Sequence, residues 1–113
     1  MAKKAKVTKA KATKAKVMKL TAPVPIRISA AGVVLDPVVK VKTGQDVAWI
    51  AQDGGGPWTI TFDTSPFSQS VYLVPRGGIV RTTGGAIGPA GTYRYTVRDE
   101  TGKITGQGEV VIE

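Results

Sequence analysis

The chain has 113 residues, 42% of them hydrophobic, and carries sixteen Lys or Arg against eight Asp or Glu, with no Cys and no His. Those two absences exclude disulfides, thiolate or imidazole metal centres, and Ser-His or Cys-His nucleophile systems. The length suits one domain with one core, and fourteen Gly and seven Pro amid abundant Val, Ile and Thr favour short strands joined by turns.

The positive charge is segregated. Residues 1–20 hold eight Lys (Lys3, Lys4, Lys6, Lys9, Lys11, Lys14, Lys16 and Lys19) and no acid, whereas residues 21–113 hold three Lys, five Arg and eight acids, which cancel. From Lys4 the segment runs in fives as KAKVT, KAKAT and KAKVM, followed by Lys19-Leu20. On an α-helix a five-residue period advances about 140° beyond a full turn, so the lysines scatter around the axis and leave no oily stripe for a membrane surface. The pattern predicts a disordered arm over residues 1–22, kept extended by its own charge. Ammonium groups at this spacing follow a phosphate backbone and release its counterions, without reading sequence. Lys in place of Arg points the same way, toward point charges and away from bidentate recognition. The composition resembles the Lys- and Ala-rich tails of linker-histone-like and nucleoid-associated proteins.

From Pro23 the texture changes to β-branched alternation, which predicts a second region over residues 23–113. The expected strands are Ile26 to Ser29, Val38 to Lys42, Val47 to Ala51, Trp58 to Phe62, Val71 to Val74, Ile79 to Thr82, Thr92 to Arg98 and Gly108 to Ile112. Val39 and Val41 oppose Lys40 and Lys42; Trp58, Ile60 and Phe62 oppose Thr59 and Thr61; Tyr93, Tyr95 and Val97 oppose Arg94 and Arg98. Each strand is thus oily on one side and wet on the other. That predicts an all-β, antiparallel Greek-key β-sandwich, with turns at Thr43-Gly44-Gln45-Asp46, Pro75-Arg76-Gly77-Gly78 and Pro89-Ala90-Gly91.

Three stretches carry a family resemblance: Val38 through Trp49, with its Thr43-Gly44-Gln45-Asp46 turn; Asp53 to Phe62, DGGGPWTITF; and Gly91-Thr92-Tyr93-Arg94-Tyr95, with Gly108 to Ile112 closing the chain. Together they resemble the cupredoxin, or plastocyanin-like, pattern over roughly residues 24–113, so a cupredoxin-like β-sandwich is what the resemblance implies, with an immunoglobulin-like sandwich of similar size as the alternative. The resemblance implies a His after the Pro, where Trp58 stands, and a Cys two residues after the second Tyr, where Val97 stands. It places the remaining His and Met ligands after that Cys, yet Asp99 to Gly106 contains neither, and both Met residues, Met1 and Met18, lie in the arm. A blue-copper site needs His and Cys donors. No cofactor and no metal are therefore expected.

Trp58 is the residue with two readings. It follows the Asp53-Gly54-Gly55-Gly56-Pro57 loop and is either an exposed interaction surface for a base or partner, or a core plug continuing Ile60 and Phe62. Asp99-Glu100 reads as a solvated turn, because neighbours on an extended chain point apart. The clusters Gly54 to Gly56 and Gly84 to Gly88 read as turns, lacking the Lys-Ser/Thr ending of a phosphate loop. Arg76, Arg81, Arg94 and Arg98 are expected to pair with the region's own acids.

The expected function is non-enzymatic polyanion binding, with DNA as the partner, through the eight arm lysines, and the sandwich as spacer or interaction module. The alternative is a structural assembly subunit of a virion or particle, whose arm straps neighbouring copies in a homo-oligomer. No apolar run after the basic start reads as an export signal or membrane span, so a cytoplasmic, nucleoid or virion location is expected.

Overall fold

A computed structural model describes residues 22–113, and these fold into eight strands. They are β1 (Val24–Ile28), β2 (Val38–Val41), β3 (Val47–Ala51), β4 (Trp58–Phe62), β5 (Val71–Val74), β6 (Ile79–Arg81), β7 (Gly91–Arg98) and β8 (Ile104–Ile112). Two sheets form, in the orders β1-β3-β6 and β2-β8-β7-β4-β5. The sequence expectation of eight strands in a β-sandwich holds. No helix among the described residues is long and apolar enough to cross a membrane.

The expectation of purely antiparallel sheets needs correction. β1 pairs parallel with β3, and β2 pairs parallel with β8, while the other ladders are antiparallel. Alternation reports which side of a strand is buried and is silent on neighbour direction. Several strand bounds differ by one residue, and two strand starts differ by more. β1 begins at Val24 and includes Pro25, which an edge strand tolerates because it leaves a ladder donor unneeded. β8 begins at Ile104, through Gly106, whose missing side chain admits the backbone of Gly32 to Val34.

The inward residues of the two sheets make one core. Ile26, Ile28, Val41, Val47, Trp49, Ile60, Val74, Val97 and Val110 are each fully buried, and burying a Val or Ile side chain contributes roughly 1.5–3 kcal/mol. Trp49, on the three-stranded sheet, bolts the layers together. Its ring centroid lies 5.3 Å from Tyr72, 5.6 Å from Tyr95 and 5.9 Å from Phe62, all on the five-stranded sheet. The contacts with Phe62 and Tyr95 are edge-to-face, a geometry that contributes about 0.5–1.5 kcal/mol beyond area burial.

Strand directions sort the loops onto two ends. The segments after β1 and β3, the turn between β5 and β6 and the turn between β7 and β8 share one end. The backbone bond from Gly77 N to Gly55 O at 2.8 Å and the Thr105 hydroxyl bond to Gly32 O at 3.0 Å tie them together. Ala22 sits at the other end, where its carbonyl accepts from Gln45 Nε2 at 3.2 Å and Val24 N donates to Asp46 O at 2.9 Å.

Candidate functional site

The eight arm lysines lie outside the described residues. What the structure locates is the root of the arm: Ala22 lies at the Asp46 end, and β1 then runs away from it toward the Trp58 end. Five strand residues span about 16 Å. Ala22 and Trp58 are therefore separated by the length of the sandwich.

Trp58 opens β4, pairs in register with Val74, and is 6% exposed. Its reading as an interaction surface is corrected, and the core-plug reading stands. Gly32 and Gly56 close over the indole, since a Cβ at either would come within 3.0–3.4 Å of ring atoms. The physical reason is area: an indole buries more apolar surface than any other side chain, and Ile60 and Phe62 already fix its strand face inward. Beside it runs an open groove of about 420 Å³, lined by Pro57, Thr59, Leu73, Val74, Pro75 and Glu100 together with Trp58.

Four of the five arginines of the folded region pair with its own acids. Arg27 grips Asp36 through Nε to Oδ2 at 2.9 Å and Nη2 to Oδ1 at 3.0 Å. These bonds, with the Arg27 backbone N–H, pull the Asp36 carboxyl down to about 2. Arg76 meets Glu100 at 3.4 Å, Arg81 meets Asp46 at 3.7 Å and Arg94 meets Glu109 at 3.4 Å. Arg98 differs from the expected acid pairing and donates to the Gly102 carbonyl at 3.1 Å. Asp99 shapes its own turn by accepting from Thr101 N, Thr101 Oγ1 and Lys103 N, and the Thr101 hydroxyl bond foremost lowers its pKa.

The structure resembles solved amicyanins. The reduced Cu(I) form at pH 4 of an amicyanin variant superposes with a TM-score of 0.60 at 22% identity, covering 80% of this chain and 82% of that one. A second Cu(I) variant and a reduced tryptophan-to-tyrosine variant each give a TM-score of 0.59 at 23% identity, with the same coverage. The fold is cupredoxin-like. No protein-family profile matches the sequence, and no curated protein matches it.

Copper does not fit the cupredoxin-like fold of this chain. Trp58, at the expected imidazole position, offers only an indole N–H, a donor with no lone pair for a metal, and that Nε1 is buried without a partner among the described residues. Val97, at the expected thiolate position, is fully buried hydrocarbon. Among the described residues no group of three His, Cys, Asp or Glu comes together to hold a metal ion. Blue-copper electron transfer through these positions has no donor set.

Two features escaped the sequence reading. Asp46 is 7% exposed and accepts from the Thr82 hydroxyl at 2.7 Å and Gly85 N at 2.8 Å, pinning the loop after β6 to the turn before β3. An Asp directly after a Gly turn gave no sign of its partner 36 residues on. The second is the outward face of β5, where Val71 and Leu73 are 49% and 67% exposed. Its signal was readable as the absence of any charge from Gln69 to Pro75.

Proposed function

We propose that this protein binds polyanions, duplex DNA foremost, through the phosphate backbone, using the lysines of residues 1–20. The single observation that carries this reading is the charge division: eight lysines in the first twenty residues against a folded region of zero net charge. Support comes from the ion pairs of Arg27, Arg76, Arg81 and Arg94, which leave those guanidiniums engaged with acids of their own sandwich. The arm then grips and the sandwich serves as spacer or interaction module. The absence of donors at Trp58 and Val97 argues against copper electron transfer as the rival from the fold.

With four to eight lysines engaged, the slope of log affinity against log salt on duplex DNA is expected near about −4 to −7. Deleting residues 1–20 should abolish binding while the circular dichroism of the sandwich stays unchanged. Tight binding by residues 21–113 alone, or affinity indifferent to salt, overturns the reading. The second reading, an assembly subunit whose arm straps neighbouring copies, draws on the exposed apolar side chains Leu73 and Ile87, 67% and 69% exposed. It predicts an oligomer that requires the arm and no DNA, which sedimentation of full-length and armless chains distinguishes.

A further inference from the structure

Among the described residues the sandwich has four edge strands, and three of them carry features that discourage pairing with another chain. β1 has Pro25 and Arg27, β2 has the outward Lys40 followed by Lys42, and β6 is three residues long and ends in Arg81. Lysine, proline and shortness are the devices by which native edges avoid strand addition. β5 has no charge and no proline within its four residues, and its flank from Gln69 to Pro75 is uncharged.

The backbone of β5 is also set for a definite register. Phe62 N donates to Ser70 O at 2.9 Å, which makes 62 and 70 a hydrogen-bonded pair of the β4–β5 ladder. Alternation then turns the N–H and C=O of Tyr72 and Val74 toward β4, and those of Val71 and Leu73 away from it. No backbone hydrogen bond among the described residues takes up those outward groups, since β4 is the only strand paired with β5. The side chains of Val71 and Leu73 stand exposed on one face.

From this we infer that β5 is a self-association edge, pairing antiparallel with β5 of a second copy about a twofold axis through Tyr72. In that register Val71 of each copy opposes Leu73 of the other. Both are outward-bonding residues, so four N–H to C=O bonds form, and four exposed apolar side chains close into one stripe. An offset by one residue would set inward side chains against outward ones and oppose bonding to non-bonding groups. A second copy fits because the strand complements itself about the twofold axis and neither partner brings a charge to the contact, while the neutral folded regions do not repel. The contact is small beside the roughly 800 Å² per partner of a stable interface, so it forms a weak, concentration-dependent dimer. Such a dimer presents two lysine arms. The inference itself does not rest on the arm binding anything.

The test is sedimentation velocity of the full chain from about 10 μM to about 1 mM, at salt high enough to screen the arms. It is paired with amide hydrogen exchange at both concentration limits. The expected result is a monomer–dimer equilibrium in which the Val71 and Leu73 amides become protected as the dimer fills. The double variant Val71→Lys with Leu73→Lys sets lysines opposite one another and should weaken the dimer at least about tenfold. Val38→Lys on the opposite edge strand should leave it unchanged. A monomer throughout the range, a dimer insensitive to the double variant, or Val71 and Leu73 amides that exchange equally in monomer and dimer would each overturn the inference. Circular dichroism establishes that every variant compared is folded.

Discussion

Tyr95 and Gly108 face one another across the β7–β8 ladder, and the phenol ring and hydroxyl of Tyr95 occupy the space that a side chain at 108 would need. Tyr95 is 1% exposed, its hydroxyl has no hydrogen-bond partner among the described residues, and burial foremost pushes its pKa up to about 12. Gly108→Ala should therefore cost about 1–3 kcal/mol by overpacking. In a Tyr95→Phe background that cost should fall, because the methyl then meets a ring without its hydroxyl. Urea unfolding of the two single variants and the double variant gives the coupling; purely additive costs would show that the hydroxyl and the Cβ do not compete.

Asp46 and Thr82 make a buried polar hinge between the turn before β3 and the loop after β6. Thr82 Oγ1 donates to Asp46 Oδ1 at 2.7 Å and accepts from Val47 N at 3.1 Å, while Gly85 N donates to the same carboxylate oxygen. Gly85 adopts φ +74, and a Cβ there would run into the Gly44 backbone. Asp46→Ala strands the Gly85 N–H and the Thr82 hydroxyl, at an expected cost of about 1–3 kcal/mol. The check is the denaturation midpoint at unchanged m-value.

Arg27 and Asp36 supply a pH dependence of defined sign. The folded Asp36 carboxyl is lowered from 3.8 to about 2, so its contribution is present above the unfolded value and is lost as pH falls through about 2. The pair is exposed, which keeps the effect small. The stability difference between the unaltered chain and Asp36→Asn should be constant from pH 7 to pH 5 and should shrink toward zero by about pH 2. Thermal melts across that range follow it, and a difference that persists at pH 2 would place its origin elsewhere.

Trp58→Ala should cost about 3–5 kcal/mol, as expected for emptying a buried indole site. Trp58→Phe should cost less. Were Trp58 an exposed platform for a partner, Trp58→Ala would leave the unfolding midpoint in place, so equilibrium unfolding followed by Trp49 fluorescence separates the two cases.

Much of the strand inventory was legible because a pleated strand with one wet face must alternate. Trp58-Thr59-Ile60-Thr61-Phe62 reads out its own burial, and the structure shows Trp58, Ile60 and Phe62 inside. Arg76, Arg81 and Arg94 paired with acids as charge balance suggested, although the particular partners Glu100, Asp46 and Glu109 depend on which loops and strands become neighbours. The start of β8 was missed because Thr105-Gly106-Gln107 lacks alternation. Gly106 belongs there for the close approach of the 32–34 backbone, a contact that spans more than 70 residues of chain.

The amino-acid sequence alone determined three properties: the division between a lysine arm and a neutral region, the absence of copper donors at 58 and 97, and eight strands, three of them with legible inward faces. Each is a local matter of residue type or period. The tertiary structure decided that β1 and β3 run parallel, that Trp58 is sealed by Gly32 and Gly56, that the arm root and Trp58 lie at opposite ends, and that β5 is left as an uncharged edge. Those outcomes follow from which strands pair. Pairing is set by how inward faces from distant parts of the chain pack around Trp49, and no local pattern encodes it.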